Sequence, residues 1–317
     1  THGITYAKPK PLYGTLAPII SPSGLVAFGR DLESSKQVWS SICGYPGDPN
    51  YREFYKDIGY ELDWDYIKPY VSKSGHRVDT GIKYHKITGK SQYKEYYNDS
   101  NAKAVAELQA DHFINSRITQ IEKAAPNMKN PPIITCPYDA ELYGHWWYEG
   151  PYWLYVLFKK IYYNQNVFKL ITPSEYLEKY PDIQQAAPAI STWGAHGYSE
   201  VWLNPGNDYI YRHLDNAAGR LHYLSKTYKE PYDLQRRALN QCARELLLAQ
   251  SSDWPFIITA NTMVDYAHKR IRDHIGRFNA LADMIDKNDI NEEYLSDIEY
   301  KDLIFPDIDY TIWGWEN

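Results

Sequence analysis

Pro131-Pro132-Ile133-Ile134-Thr135-Cys136-Pro137 runs directly into Tyr138-Asp139-Ala140-Glu141-Leu142-Tyr143-Gly144-His145-Trp146-Trp147, and the reading of this junction decides the fold. The first part is a short apolar run bounded by prolines. That is the pattern of a buried strand ending just before Asp139. Beyond it, Tyr152–Tyr163 is helical by spacing, Phe168-Lys169-Leu170-Ile171-Thr172 reads as another short strand, and Pro173-Ser174-Glu175-Tyr176-Leu177 starts a helix. Strand, helix, strand, helix in this order implies parallel α/β layering. A carboxylate just past such a strand stands at the carboxyl edge of a sheet or barrel, where these folds place their sites.

Working outward, the first sixty residues read as loops and short strands, because Pro9, Pro11, Gly14, Pro18, Pro22 and Gly24 interrupt any long helix. Gly44-Tyr45-Pro46-Gly47-Asp48-Pro49 is a rigid turn segment. An alternating stretch around Asp79–Thr88 suggests a strand. A long helix is expected from about Asn101 to Ala125, capped by Asp99 or Ser100. Pro181 to Thr192 is linker-like. From Asp208 onward the pattern is helical, with strong helices at Leu234–Gln250 and Asn261–Lys287. The expected organisation is an α/β domain over 1–190 and an all-α domain over 191–317. No internal repeat is visible.

The chain has 317 residues, of which 44% are apolar, so a sizeable core can form. Net charge is -6 without a long basic run, which argues against a nucleic-acid partner. The unusual feature is 31 Tyr and 10 Trp against only 8 Phe. Flat rings carrying a polar handle suit sugar faces, although a Tyr-rich proteome would give the same bias. Cys43, Cys136 and Cys242 are far apart and form no CxxC pair, which speaks against a disulfide framework. With no signal peptide and no membrane-length apolar run, a reduced cytoplasmic protein is expected, with no membrane partner.

Asp139 has two readings. Apolar walls and the neighbouring Glu141 could raise its pKa and make it a general acid. Equally, it could be a helix N-cap with core aromatics behind it. His145 lacks companions at metal-ligand spacing, since His2, His112 and His196 are scattered, so no metal is expected. Trp193 and Trp202 lie in loop-like sequence at the domain junction, where ligand clefts form, and loop Trp can bind or pack. Asp253-Trp254 reads as a similar polar–aromatic break between helices. No GxGxxG, P-loop, GxSxG or HExxH is present, and no cofactor is expected.

The segment Tyr138–Gly150, reading YDAELYGHWWYEG, resembles a signature of glycoside hydrolase family 57, most closely its 1,4-α-glucan branching enzymes. Ala27-Phe28-Gly29-Arg30-Asp31, Gln37-Val38-Trp39-Ser40, Tyr198-Ser199-Glu200-Val201-Trp202-Leu203-Asn204 and Glu245–Trp254 agree with that subgroup. The resemblance implies the C-terminal part of a distorted (β/α)7 barrel followed by an all-α helical domain that completes the cleft. It implies a retaining transglycosylase in which Asp139 is the acid/base. Trp193, Trp202 and Tyr60 would line the α-glucan cleft, with Asp253, Trp254, His145 and Arg30 as further substrate contacts. Family-57 α-amylase, 4-α-glucanotransferase and a non-catalytic glucan-binding protein are the alternatives. The family's nucleophile Glu lies upstream of the stretch matching Thr1, so the partner expected is the N-terminal half of the barrel, in the same or a separate chain.

Overall fold

The computed structural model describes every residue except 41–42, 72–74, 193, 195–196 and 315–317. Two units divide the chain, Thr1–Ile190 and Ser191–Asn317. In the first, chain order is α1 (His2–Thr5), β1 (Ile19–Ile20), β2 (Val26–Ala27), α2 (Leu32–Trp39), α3 (Ile58–Glu61), α4 (Trp64–Val71), α5 (Asp99–Ala124), α6 (Gly150–Tyr163), α7 (Pro173–Lys179) and β3 (Gln184–Gln185). The strands form one small sheet in the order β2-β1-β3. β1 pairs antiparallel with β2 through Ile19↔Ala27 and parallel with β3 through Ile19↔Gln184.

Local sequence explains where the helices begin and end. Asp31 caps α2, its carboxylate accepting from the Ser34 backbone N–H at 2.7 Å. Asn98 caps α5 by accepting from Asn101 N–H at 3.0 Å, and Pro126 follows its end. α7 starts with a reciprocal capping box between Thr172 and Glu175. On α5, Ala102, Ala106 and Ala110 recur every four residues and are fully buried, in one cluster with Trp153, Val156, Leu157 and Ile161 of α6. Small residues on one helix and large ones on its neighbour let the two backbones approach while the interface stays filled.

The second unit holds α8 (Tyr209–Thr227), α9 (Asp233–Ala249), α10 (Asp253–Ala260), α11 (Val264–Lys287) and α12 (Glu292–Lys301), followed by a turn at Tyr310–Gly314. α9 supplies Ala238, Leu239, Cys242, Ala243 and Leu246 to a core shared with Leu221 and Leu224 of α8 and with Phe278 and Leu281 of α11. Each fully buried leucine there is worth about 1.5–3 kcal/mol of transfer free energy. α10 and α11 end on Asn261 and Asn288 in the left-handed region, a conformation that asparagine tolerates.

The structure corrects several expectations. The stretches 79–88, 131–137 and 168–172 are not strands. The first makes only the bridges His85↔Tyr96 and Arg52↔Lys86, and the second only a parallel bridge from Thr135 to Arg30. The third makes no bridge among the described residues. Of the apolar side chains in these runs only Ile133 is buried, and a ladder needs a neighbour of matching register. Instead, 132–136, Tyr138 and 168–171 line an apolar cleft of about 360 Å3 together with Phe28, Leu157 and Phe158. The expected break at Asp253-Trp254 is helix α10. Glu292–Lys301 is helix α12, which buries Leu295 and Ile298 despite its charged sequence. No helix among the described residues is long and apolar enough to cross a membrane.

Candidate functional site

Asp139 is held by its neighbours on both sides. Upstream, Thr135 C=O accepts from Asp31 N–H at 2.9 Å, and the Tyr138 hydroxyl donates to Ser34 C=O at 2.9 Å, so the chain is fastened to the first turn of α2. Downstream, Asp139 stands at the N-cap position of a 3-10 turn, Ala140–Leu142, but its side chain makes no capping bond. The cap reading of the sequence is therefore right in place and wrong in role: the carboxyl is free for other work. It is half-buried. Burial, and then the negative charge of Glu141, push it above the usual carboxylate range, while Arg30 pulls it back. Arg30 is itself lowered by its own burial and raised by Asp139. A carboxyl so placed holds its proton longer than a surface aspartate and can donate it.

The next five residues form a tight turn that sends side chains to opposite sides. Tyr143 and Trp147 bridge in parallel, Gly144 N–H donates to Trp147 C=O at 2.8 Å, and Gly144 has φ +89°. Only glycine adopts that angle without strain. Trp147 goes inward, fully buried, with Tyr51 at 5.6 Å and Trp153 at 5.2 Å. His145 and Trp146 go outward. The Trp146 indole lies over Phe54, centroids 4.2 Å apart and planes 20° apart. Lys83 Nζ stands 4.1 Å from the Phe54 centroid, and since one face cannot hold both, ammonium and indole sandwich the phenyl ring. Trp146 remains 47% exposed. Tyr55, 76% exposed, and His145 meet Trp146 edge-on at 5.7 and 6.1 Å. This is a rigid, backed aromatic surface bordered by a hydroxyl and an imidazole.

Glu149 joins this turn to the 51–55 segment. It is buried, and its Oε1 accepts from Arg52 N–H at 3.0 Å, while the Arg52 guanidinium lies 3.8 Å above the Tyr148 ring. Burial raises its carboxyl, opposed by the donors around it. Tyr60 is exposed on α3, and the structure gives it no ring contact with the Trp146 surface.

In the second unit, Trp202 is half-buried and tilted against Phe256 at 6.3 Å. With Tyr211, Gln250, Ser251 and Ser252 it lines a cavity of about 260 Å3. Asp253 is exposed at the start of α10, accepting from the Ser251 hydroxyl at 2.9 Å. Trp254 differs from its expectation as a sugar contact. It is only 8% exposed, and its indole N–H donates to Leu248 C=O at 2.8 Å. Its ring is committed to packing, because the segment that carries it is helix rather than loop. Trp193 lies outside the described residues.

Three contributors escaped the sequence reading. Phe54 and Lys83 complete the Trp146 stack from positions about 90 and 60 residues away in the chain, a pairing that no local pattern announces. Asn207, fully buried, accepts from Asn204 N–H and donates to Val201 C=O, Pro255 C=O and the Thr259 hydroxyl at 2.8–3.3 Å, fastening the Trp202 loop to α10. A buried Asn after Pro-Gly was its only signal. His145 has no metal-ligating company among the described residues. The His and carboxylate group that does converge, Glu245, His274 and Asp302, lies in the second unit with arginines already against it.

Comparison with known proteins is consistent over most of the chain. Residues 213–313 match the family model described as 1,4-alpha-glucan branching enzyme, C-terminal. A 1,4-alpha-glucan branching enzyme of Thermococcus kodakarensis is 31% identical over 300 residues, covering 92% of this chain and 41% of its own length. Among solved structures, one described as a novel alpha-amylase from Thermotoga maritima aligns with TM-score 0.85 and 44% identity, over 100% of this chain and 60% of that one. A GH57-type branching enzyme from Pyrococcus horikoshii aligns with TM-score 0.78 and 31% identity, over 96% and 54%. The chain thus spans less than half the length of that curated relative and little more than half of these structures.

Proposed function

We propose that this chain, which belongs to glycoside hydrolase family 57 and matches the C-terminal part of its branching enzymes, supplies the acid/base carboxyl and much of the glucan-binding surface of a 1,4-alpha-glucan branching enzyme. The observation that carries the reading is Asp139. Its carboxyl has a raised proton affinity, is half-buried and makes no capping bond, and it opens the turn that exposes Trp146. In the first step Asp139 donates its proton to the leaving 4-oxygen of a cleaved α-1,4 bond. A carboxylate nucleophile, supplied by the N-terminal half of a (β/α)7 barrel, takes the glycosyl group. In the second step Asp139 accepts the proton of an incoming glucan 6-hydroxyl, which attacks the anomeric carbon and releases the nucleophile. The exposed indole of Trp146 holds a pyranose ring through its axial C–H groups, with Tyr55 and His145 placed for hydroxyls. Within the helical unit, Trp202 and Asp253 are glucan-binding residues, and the product belongs to glycogen-type storage metabolism in the cytoplasm.

The test is product analysis with Asp139→Asn in the intact protein acting on amylose. New α-1,6 anomeric protons should fall about 100- to 10,000-fold, while glucan binding persists. Unchanged branching in that variant rejects the assignment. A hydrolytic reading is favoured by one observation, the 44% identity to a structure described as an alpha-amylase. Reducing ends accumulating without α-1,6 signals would select it.

A further inference from the structure

Behind the Asp253–Trp254 turn lies a buried charged line that the proposed reaction does not use. Glu245 of α9 and His274 of α11 are both fully buried, with His274 Nδ1 2.7 Å from Glu245 Oε2. Gln241 Nε2 donates to the other Glu245 oxygen at 2.9 Å. On the far side of the imidazole, Arg270 NH2 stands 2.9 Å from His274 Nε2. A guanidinium can only donate, so Nε2 must present its lone pair. The one ring proton is therefore on Nδ1 and is donated to Glu245, and His274 is neutral. Arg277 lies 2.5 Å from Asp302 and 3.9 Å from Glu245. Arg277 thus already lies against both carboxylates, where a cation would otherwise sit.

Arg270 does not stop at His274. Its guanidinium carbon is 5.7 Å from the Trp254 ring centroid and 6.0 Å from that of Tyr266. Trp254 in turn meets Tyr266 edge-on at 6.0 Å and follows Asp253 directly. A continuous series of contacts therefore runs from Glu245 through His274 and Arg270 to the first turn of α10.

We propose that His274 and Arg270 are positioning residues for the Asp253–Trp254 turn, and that protonation of His274 releases the turn. A second proton on the imidazole must go to Nε2, where it faces the Arg270 donor at hydrogen-bond distance. Two cationic donors cannot share that contact, so Arg270 leaves and Trp254 loses the group packed on its ring. The charged groups that face His274 are the carboxylates of Glu245 on α9, Asp302 after α12 and Asp273 on α11 itself. Arg270 and Arg277 of α11 are the cations beside them. Arg244 of α9 and Tyr294 of α12 act one step away, on Glu245. The consequence for sugar binding rests on the reading that Asp253 faces α-glucan.

Two measurements on the intact protein test this. The first follows the Trp254 indole 1H–15N signal, assigned with Trp254→Phe, from neutral to acidic pH. The signal should shift through a single inflection in the unchanged protein and stay still in Arg270→Met. His274→Gln keeps an acceptor towards Arg270 but cannot titrate, so it should also be flat, and it serves if Arg270→Met fails to fold. A Trp254 signal that ignores pH in the unchanged protein, or that titrates identically in both variants, overturns the proposal. The second measurement is maltoheptaose affinity, expected to weaken on the order of tenfold on acidification and to lose that dependence in both variants. If the Trp254 signal titrates while maltoheptaose affinity does not, the coupling stands and the placement of glucan at Asp253 falls.

Discussion

In the proposed reaction Asp139 draws its chemistry from its burial and from two charged neighbours, each of which can be tuned separately. Burial and Glu141 raise its carboxyl, and Arg30 lowers it. The proposed first step needs the acid form, so a raised pKa would extend activity to higher pH. Glu141→Gln removes a like charge, and the alkaline limb of the pH–rate profile should move to lower pH. Arg30→Met should move it the other way. Steady-state rates on amylose across pH check both signs, and shifts in the same direction would show that Glu141 and Arg30 act through something other than charge. Trp146→Ala should weaken maltooligosaccharide binding by about 1 kcal/mol, roughly fivefold, as read by calorimetry. The placement of Asp139 just after an apolar run was legible in the sequence because that is a local pattern. The Lys83–Phe54–Trp146 stack was not, because its three members come together only through tertiary structure. Trp254 was misread for a related reason: a Trp beside Asp and Pro resembles a loop, whereas Pro255 here sits in the first turn of a helix, where a missing N–H costs nothing.

At the scale of elements, side chains that bind backbone do much of the assembly. Asp57 caps α3 by accepting from Gly59 N–H at 2.8 Å, and also from Thr80 N–H, the Thr80 hydroxyl and Gly81 N–H at 2.8–3.0 Å. It thereby fastens α3, which carries Tyr60, to the 80–81 segment. Burial alone would raise this carboxyl, but those donors outweigh it and hold it below its ordinary value. For a lowered carboxyl, the contribution to stability is complete above about pH 4, the unfolded value. It is lost as pH falls through the lower folded value. Asp57→Ala should cost about 1–3 kcal/mol near neutrality, measured by denaturant unfolding, and should flatten the acid side of the stability profile. An unchanged acid limb would mean that other carboxylates dominate it. The long helices were readable from periodicity to within a few residues, as α5, α6, α9 and α11 show. The expected strands failed because a run of Ile and Thr carries only a local propensity, whereas pairing depends on a partner elsewhere in the chain.

At the scale of the whole molecule, the two units are built on different plans. The second is a succession of helices in which α8, α9 and α11 share one core. The first closes differently. Ile19 pairs with Gln184, and Lys8 bridges Ala187, so its opening residues are hydrogen-bonded to its closing ones. That sheet was not anticipated, since its strands are two residues long and β3 is Gln-Gln. Its consequence lies in time. A pairing across some 165 residues must wait for almost the whole unit to exist and condense, and the entropy of closing so long a loop precedes any return from it. A bundle of sequential helices has no such wait. On dilution from denaturant, hydrogen exchange should therefore show protection arising in α9 and α11 before it arises at Ile19–Ile20, and simultaneous protection would contradict this order. During synthesis, Ile19 can meet Ala27 early, but the β3 side of β1 would stay without its partner until Gln184 and Gln185 have left the ribosome.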